Sequence, residues 1–334
     1  MPLDFVVPGL LLPPGAPEGL RASRQPVVER WLARADVTRL PHRGLHAALA
    51  SSFDLPSPPP VAAITLAADN AVHPGTWLRA DPVHLRLGQA TGTMHDTAAL
   101  EVTASEANAL VAALQAHFAE DGLEFVAPVP SRWYVRVPEG EAPATVPLDE
   151  ALDGDPFSLL PRGTGRINWP GVVTEAQMVL SAHAVNRERE ARRLPAINSV
   201  WLWGEGSAPQ VRSPYALVYS DDPFARGLGR IAGVRSMELP PGFAGVDAVP
   251  DAESVLVVVA SLEEALRRGD AEAWGRELER IAQAWFAASD AALHTFGRVN
   301  LVMPGAGGTV VASRTPGFRW KRLFRSARPL SAYA

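Results

Sequence analysis

Apolar strand-like runs alternate with helical stretches at both ends of this chain, and the alternation breaks in the middle. Residues 5–12 read as a short buried strand interrupted by Pro8, followed by amphipathic helices over 27–34 and 46–53. Toward the end, 215–220, 254–260 and 299–303 read as strands. Helices are expected between them over 223–231 and over 270–288, the latter burying Trp274, Leu278, Ile281 and Trp285. The middle differs. Leu85 and Leu87 flank Arg86 in a period of two, Thr103 or Ser105 caps a helix over 106–119, and 125–126 and 133–137 make two strands of a hairpin. Strand–helix alternation on both sides of a strand–helix–hairpin module predicts an α/β core with an inserted α+β domain. The expected core is residues 1–85 with 206–334, and the expected insert is 86–205.

Composition sets outer limits. With 334 residues, 47% of them apolar, the chain can bury a sizeable core and fill two domains. A formal charge of −5 supplies no concentrated positive surface, so nucleic acid is not an expected partner. The absence of cysteine excludes disulfides, zinc ribbons, iron–sulfur clusters and thiol nucleophiles. No apolar run approaches the ~18 residues of a membrane span. The apolar start is broken by Asp4 and four prolines and lacks a basic leader, so a cytoplasmic protein is expected.

The stretch HAVNREREARRLPAINSVWLWGEG, residues 183–206, is poor core material and good pocket material. A helix is expected over 174–192, with Thr174 as cap and Gln177 completing a capping box. His183, Asn186 and Arg189 recur at every third residue of it, so each neighbours the next on the helix surface. Such a stripe suits a small anion. Arg189 brings positive charge, neutral His183 donates one hydrogen bond, and Asn186 orients the histidine or the ligand. Arg86, facing them from its strand, would add a bidentate contact. The plainer alternatives are helix packing with a solvated charged flank, and an ion pair for Arg86. Asn198 reads as a structural cap of the 195–198 turn. Trp201 and Trp203 share one strand face, where domain packing competes with stacking on a ligand. Gly305-Ala306-Gly307-Gly308 lacks the lysine and helix of a phosphate loop and reads as a hairpin turn. His73, His84, His95, Asp69, Asp81 and Asp96 are metal-ligand types without metal spacing. The basic and aromatic stretch FRWKRLFR, 318–325, reads as docking on the protein's own acidic face.

Several segments, in order, resemble one family: DPVHLR (81–86), TASEANALVAAL (103–114), RWYVRV (132–137), QMVLSAHAVNRERE (177–190), LPAINSVWLWGEG (194–206) and YALVYSDDPFARGLGRIAGV (215–234). Together they are similar to the archaeal-type cofactor-independent phosphoglycerate mutases of the alkaline-phosphatase superfamily. They are more similar still to a related bacterial group labelled regulators of pathogenicity factors. The resemblance covers about half the chain. It implies an alkaline-phosphatase-like core, and substrate binding by an arginine on the strand that here carries Arg86. It also implies two divalent metals and a serine that carries the phosphoryl group. Two adjacent cations need several carboxylates and imidazoles to neutralise them.

The same resemblance locates those ligands at three places where this chain lacks them. An aspartate should end the first strand, which here runs Val7-Pro8-Gly9. An Asp-Glu-x-x-His cluster should follow the 256–260 strand. Here ASLEEALRRGD leaves Glu263 and Glu264 and no histidine. An Asp-His pair should follow 299–303, where the chain reads Pro304-Gly305-Ala306. The expectation is therefore a non-catalytic or regulatory relative without a cofactor. It would keep a degenerate small-anion pocket at Arg86, His183, Asn186 and Arg189 for a phosphorylated or carboxylated metabolite, with a protein partner also open. The competing expectation is a metal-dependent phosphoglycerate mutase that uses Glu263 and Glu264 with further ligands.

Overall fold

The computed structural model describes residues 2–69, 72–87, 92–95, 100–152, 154–246, 254–267, 269–317 and 326–333. The 318–325 segment, His95's side chain and Asp96 lie outside what is described. The fold is mixed α/β. Residues 1–58 and 210–334 pack as one compact unit and residues 59–209 as another. In chain order the strands are β1 Pro2–Val6, β2 Asp36–Leu40, β3 Thr76–Leu87, β4 Gly92–His95, β5 Glu124–Val129, β6 Arg132–Val137, β7 Ser199–Ser207, β8 Tyr215–Ser220, β9 Arg235–Met237, β10 Ser254–Val258, β11 Arg298–Gly305 and β12 Gly308–Arg314.

Among the described residues, the first unit carries a seven-stranded sheet in the order β2-β12-β11-β1-β10-β8-β9. β1 is parallel to β10 on one side, with Phe5 opposite Val257, and to β11 on the other, with Phe5 opposite Leu301. β8 and β9 extend the parallel part, while β12 turns back on β11 and β2 pairs antiparallel with β12. Runs such as Val255–Val259 are apolar throughout because a parallel sheet is covered on both faces. Leu3, Phe5, Val7, Val257, Val259, Leu301 and Met303 pack one face against Trp31, Trp274, Leu278, Ile281 and Phe296 from helices Pro26–Ala33, Ala271–Ile281 and Ser289–Phe296. Helices Gly44–Ser52 and Pro223–Ile231 lie instead against β11–β12 and β8, and the rings of His46 and Phe224 meet between them at 4.7 Å.

Two expectations change here. The strand read over 5–12 ends at Val6, since Pro8 has no amide hydrogen to donate and Gly9 turns the chain with φ +77°. The long helix read over 270–288 stops at Ile281 and passes through a π turn, Ala282–Phe286. The wider turn brings Ile281, Ala282, Trp285 and Phe286 all to the core, where Phe5 meets Trp285 at 5.1 Å and Phe286 at 5.7 Å. β2, DVTRL, escaped the sequence reading because all five of its residues are exposed on the sheet edge, so it shows no buried face.

The second unit is organised on β3. This long strand pairs antiparallel with β6 and β7 along its first part and with β4 at its end. β5 pairs β6 beyond. Leu78, Ala80, Trp133, Val135, Val200 and Leu202 pack one face against helices Ala104–Phe118 and Trp169–Ala182. The first of these opens on the capping box of Thr103 and Glu106. Helix Val61–Asp69 covers the other face through Ala62 and Leu66, against Trp77 and Tyr134. Residues 59–85, assigned to the core by the sequence reading, thus pack with the second unit.

The helix expected over 174–192 is two helices. The first, Trp169–Ala182, is capped by Asn168, and Thr174 lies inside it with its hydroxyl donating to Pro170 O. His183 is extended at φ −70° and ψ 147° and caps the second helix, Ala184–Ala191.

Candidate functional site

In open parallel sheets, ligands bind beyond the carboxyl ends of the strands. In the first unit those ends are filled. Val7 after β1, Val259 after β10 and Met303 in β11 have no solvent exposure and belong to the apolar core. A β-carbon at Gly9 would stand 2.6 Å from Glu263 Cα and 2.7 Å from Glu263 N. The backbone of helix Ser261–Arg267 therefore rests directly on the exit of β1. Trp274 closes the same place from the other side, donating Nε1–H to Gly9 O at 2.9 Å. Leu11 occupies the space in front of Gly305. Glu264 is paired with Arg267. Among the described residues, no group of three or more His, Cys, Asp or Glu is placed to hold a metal ion.

Polar groups persist at the end of β8. Asp222 caps helix Pro223–Ile231, accepting from Ala225 N at 2.8 Å, and Ser220 Oγ accepts from Asp222 N. Asp221 accepts from Ala260 N at 3.3 Å. Its side chain is exposed, yet enclosure by surrounding protein, with Asp222 adding to it, holds the carboxyl above its ordinary pKa.

In the second unit two of the four sequence candidates, Asn186 and Arg189, bond to one turn, residues 195–198. Asn186 is buried. Its Nδ2 donates to Leu180 O at 2.7 Å and Ile197 O at 2.8 Å, and its Oδ1 accepts from Ile197 N at 2.7 Å. Arg189, 1% exposed, donates to Pro195 O at 2.8 Å, Leu100 O at 2.6 Å and Glu106 Oε1 at 2.9 Å. Burial alone would raise the Glu106 carboxyl, but hydrogen bonds from Thr103 and Arg189 outweigh it and hold it below the usual range. From the other side, His84 Nδ1 donates to Ala196 O at 2.8 Å, and Asn198 exchanges a pair of hydrogen bonds with the backbone of Leu85. Arg86 follows on β3 and is exposed. His183 Nδ1 accepts from Val185 N at 3.2 Å, which leaves Nε2 to carry the ring proton. Arg86 is thus exposed and His183 half-buried. Asn186 and Arg189, expected to meet a ligand, bond protein groups instead, because the 195–198 turn supplies their partners first. Asn198 holds that turn.

A second buried cluster went unread in the sequence. Arg79 donates Nε–H and Nη2–H to Asp81, at 3.1 and 2.6 Å, and Trp203 donates to the other oxygen of Asp81 at 2.7 Å. The Arg79 guanidinium lies over the rings of Trp203 and Tyr134, 5.3 and 5.4 Å from their centroids. Tyr134 and Arg132 both donate to Asp69, the arginine through two nitrogens. Burial opposes ionisation of Asp69, but these bonds prevail and lower its pKa. Burial also pushes the Tyr134 hydroxyl well above its ordinary pKa, so it stays a donor. Every charge has a partner, so the cluster docks helix Val61–Asp69 on the sheet. Trp203 is committed to it, and Trp201 Nε1 donates to Val146 O. The available signal was the pair Arg79 and Asp81, two apart on one strand face.

No protein-family model matches the chain. Over 164 residues, 47% of its length, it is 30% identical to a probable 2,3-bisphosphoglycerate-independent phosphoglycerate mutase of Geobacter sulfurreducens, of which it covers 41%. Over 223 residues, 59% of its length, it is 26% identical to the 2,3-bisphosphoglycerate-independent phosphoglycerate mutase of Methanosarcina acetivorans, of which it covers 56%. The chain is homologous to the cofactor-independent phosphoglycerate mutases. It spans about half the length of the curated relatives it matches. Its fold is similar to that of the PH0037 protein from Pyrococcus horikoshii, with a TM-score of 0.59 at 12% identity over 99% of this chain and 92% of that one. The resemblance to the mutases thus stands beside strand ends that, among the described residues, carry no metal-binding cluster.

Proposed function

We propose that this protein is a non-catalytic, regulatory relative of the cofactor-independent phosphoglycerate mutases, of the kind represented by the bacterial pathogenicity-factor regulators. It uses an alkaline-phosphatase-like core for residues 1–58 with 210–334 and an inserted α+β domain for the rest. The observation that carries this reading is the closed crevice at Gly9. Metal-assisted phosphoryl transfer needs an open, carboxylate-lined site at the strand ends, whereas here helix backbone and leucines occupy that volume.

The inserted domain keeps a small-anion site beside the 195–198 turn. Arg86 makes the bidentate contact and His183 Nε2–H donates one hydrogen bond. Asn186 and Arg189 position the turn. The ligand is a small phosphorylated or carboxylated metabolite. Two measurements test the reading. Purified protein assayed with manganese or zinc should convert no 3-phosphoglycerate to 2-phosphoglycerate and hold no stoichiometric metal. Turnover with bound metal would establish a mutase instead. Calorimetric titration with phosphoglycerates, phosphate and sulfate should give heats that Arg86→Ala removes. Equal, negligible heats for wild type and variant would leave the turn a purely structural seam.

A further inference from the structure

The first unit holds a second polar site that this reading does not use. A cavity of about 300 Å³ opens along the side of helix Gly44–Ser52, lined among others by His42, Ala47, Ala50, Ser51, Asp54 and Ser57. Ala47, Ala50 and Ser51 lie at three- and four-residue spacing on one side of the helix, and the two alanines leave the space open; Asp54 follows beyond the helix end. Within it, Ser51 Oγ and His42 Nε2 lie 2.9 Å apart. Both are held from behind. Buried Thr309 on β12 donates its hydroxyl to His42 O at 2.7 Å, which ties the backbone of the histidine to the sheet. Ser51 is fixed by the helix that carries it.

The charge of the lining selects the chemistry. Asp54 is its only carboxylate, and it contains no lysine or arginine. An anionic ligand has no fixed cation to meet there, so a neutral one fits. A hydroxyl within hydrogen-bond reach of a base, both anchored, is the arrangement of an activated nucleophile.

We propose that Ser51 and His42 form a nucleophile–base pair that accepts a short acyl group from a neutral ester. Ser51 Oγ bonds to the ester carbonyl carbon while its proton passes to His42 Nε2. The ester C–O bond then breaks, and the alcohol leaves with that proton. Water, deprotonated by His42, attacks the acyl-serine, releases the acid and restores Ser51. Ester and water give acid and alcohol, so no other reactant is needed. A cavity of about 300 Å³ is large enough for a small ester.

The test treats the full chain with a fluorophosphonate probe, maps the adduct by peptide mass, and measures hydrolysis of p-nitrophenyl acetate. A single adduct on Ser51 is expected. Labelling and ester hydrolysis should vanish in Ser51→Ala and slow about a hundredfold in His42→Gln. Ser52→Ala, whose hydroxyl donates to Ala48 O and also bonds Tyr215, should label like wild type. An adduct on another serine, no adduct, or an unchanged rate in His42→Gln would each overturn the proposal. Mapping the wild-type adduct requires no variant, so a substitution that misfolds leaves the outcome decided.

Discussion

Replacing Gly9 by alanine separates two kinds of cost at the filled strand end. The backbone there has φ +77°, and the new β-carbon would fall 2.6 Å from Glu263 Cα, against backbone that cannot swing aside as a side chain does. Left-handed strain costs an L-residue about 1–2 kcal/mol. Forcing a methyl into a packed site adds about 1–3 kcal/mol. The combined loss of about 2–5 kcal/mol is a large part of the roughly 5–15 kcal/mol that holds a domain together. At about 2–4 °C per kcal/mol for a domain of this size, the melting temperature should fall by about 4–20 °C. Gly233→Ala is the control. Its φ is +69°, but nothing lies within 4 Å of its β-carbon position, so it carries the strain without the clash. Circular-dichroism melts of both variants, with urea unfolding to check the size of the loss, would measure the difference. If Gly9→Ala melts with Gly233→Ala, helix Ser261–Arg267 does not rest on the β1 exit, and the argument for a closed crevice fails.

Three further outcomes are expected. Arg189→Ala should destabilise the second unit by about 2–4 kcal/mol, because it leaves the carbonyls of Pro195 and Leu100 without their buried donor and takes the guanidinium from Glu106, whereas exposed Arg86→Ala should cost under about 0.5 kcal/mol. Urea midpoints compare them, and equal effects would refute the structural role given to Arg189. Asn198→Ala should cost about 1–3 kcal/mol and speed hydrogen exchange at the Leu85 amide, which loses its Asn198 acceptor; unaltered exchange there would count against the gripped turn. Acid should unfold the protein through Asp69, Glu106 and Glu29. The folded pKa of each is lowered, at Asp69 and Glu106 against opposing burial and at Glu29 chiefly by its hydrogen bond from Arg24. Their stabilisation is complete above the ordinary values of 3.8 and 4.5 and is lost as pH falls through the lowered ones. Urea midpoints should therefore hold from neutral pH down to about 5 and drop below about 4; a midpoint that rises on acidification would contradict this.

Local order was written in the sequence wherever neighbours along the chain decide it. Thr103 and Glu106 are three apart and cap one another, so the helix from Ala104 needs no tertiary partner to announce its start. The apolar runs of β10 and β11 exist because both faces are buried, and that too is visible in one dimension. So is the lack of ligating residues at Val7-Pro8-Gly9 and Pro304-Gly305-Ala306, since no fold can add a carboxylate to a position that has none. The tertiary structure alone decided the partners of the polar side chains. The spacing of His183, Asn186 and Arg189 suits an anion or a turn equally. The turn prevails for Asn186 and Arg189 because the chain reverses and sets Pro195 and Ile197 within 2.8 Å of them. Arg79 and Asp81 look like two charges on a strand until helix Val61–Asp69 and Trp203 close over them. A polar group takes whichever partner reaches it once water is excluded, and which partner arrives depends on contacts tens of residues away. The β1 exit was settled in the same way. Gly9 lies within an apolar run in the sequence, and only the approach of Glu263, far along the chain, makes it the place where the site is shut.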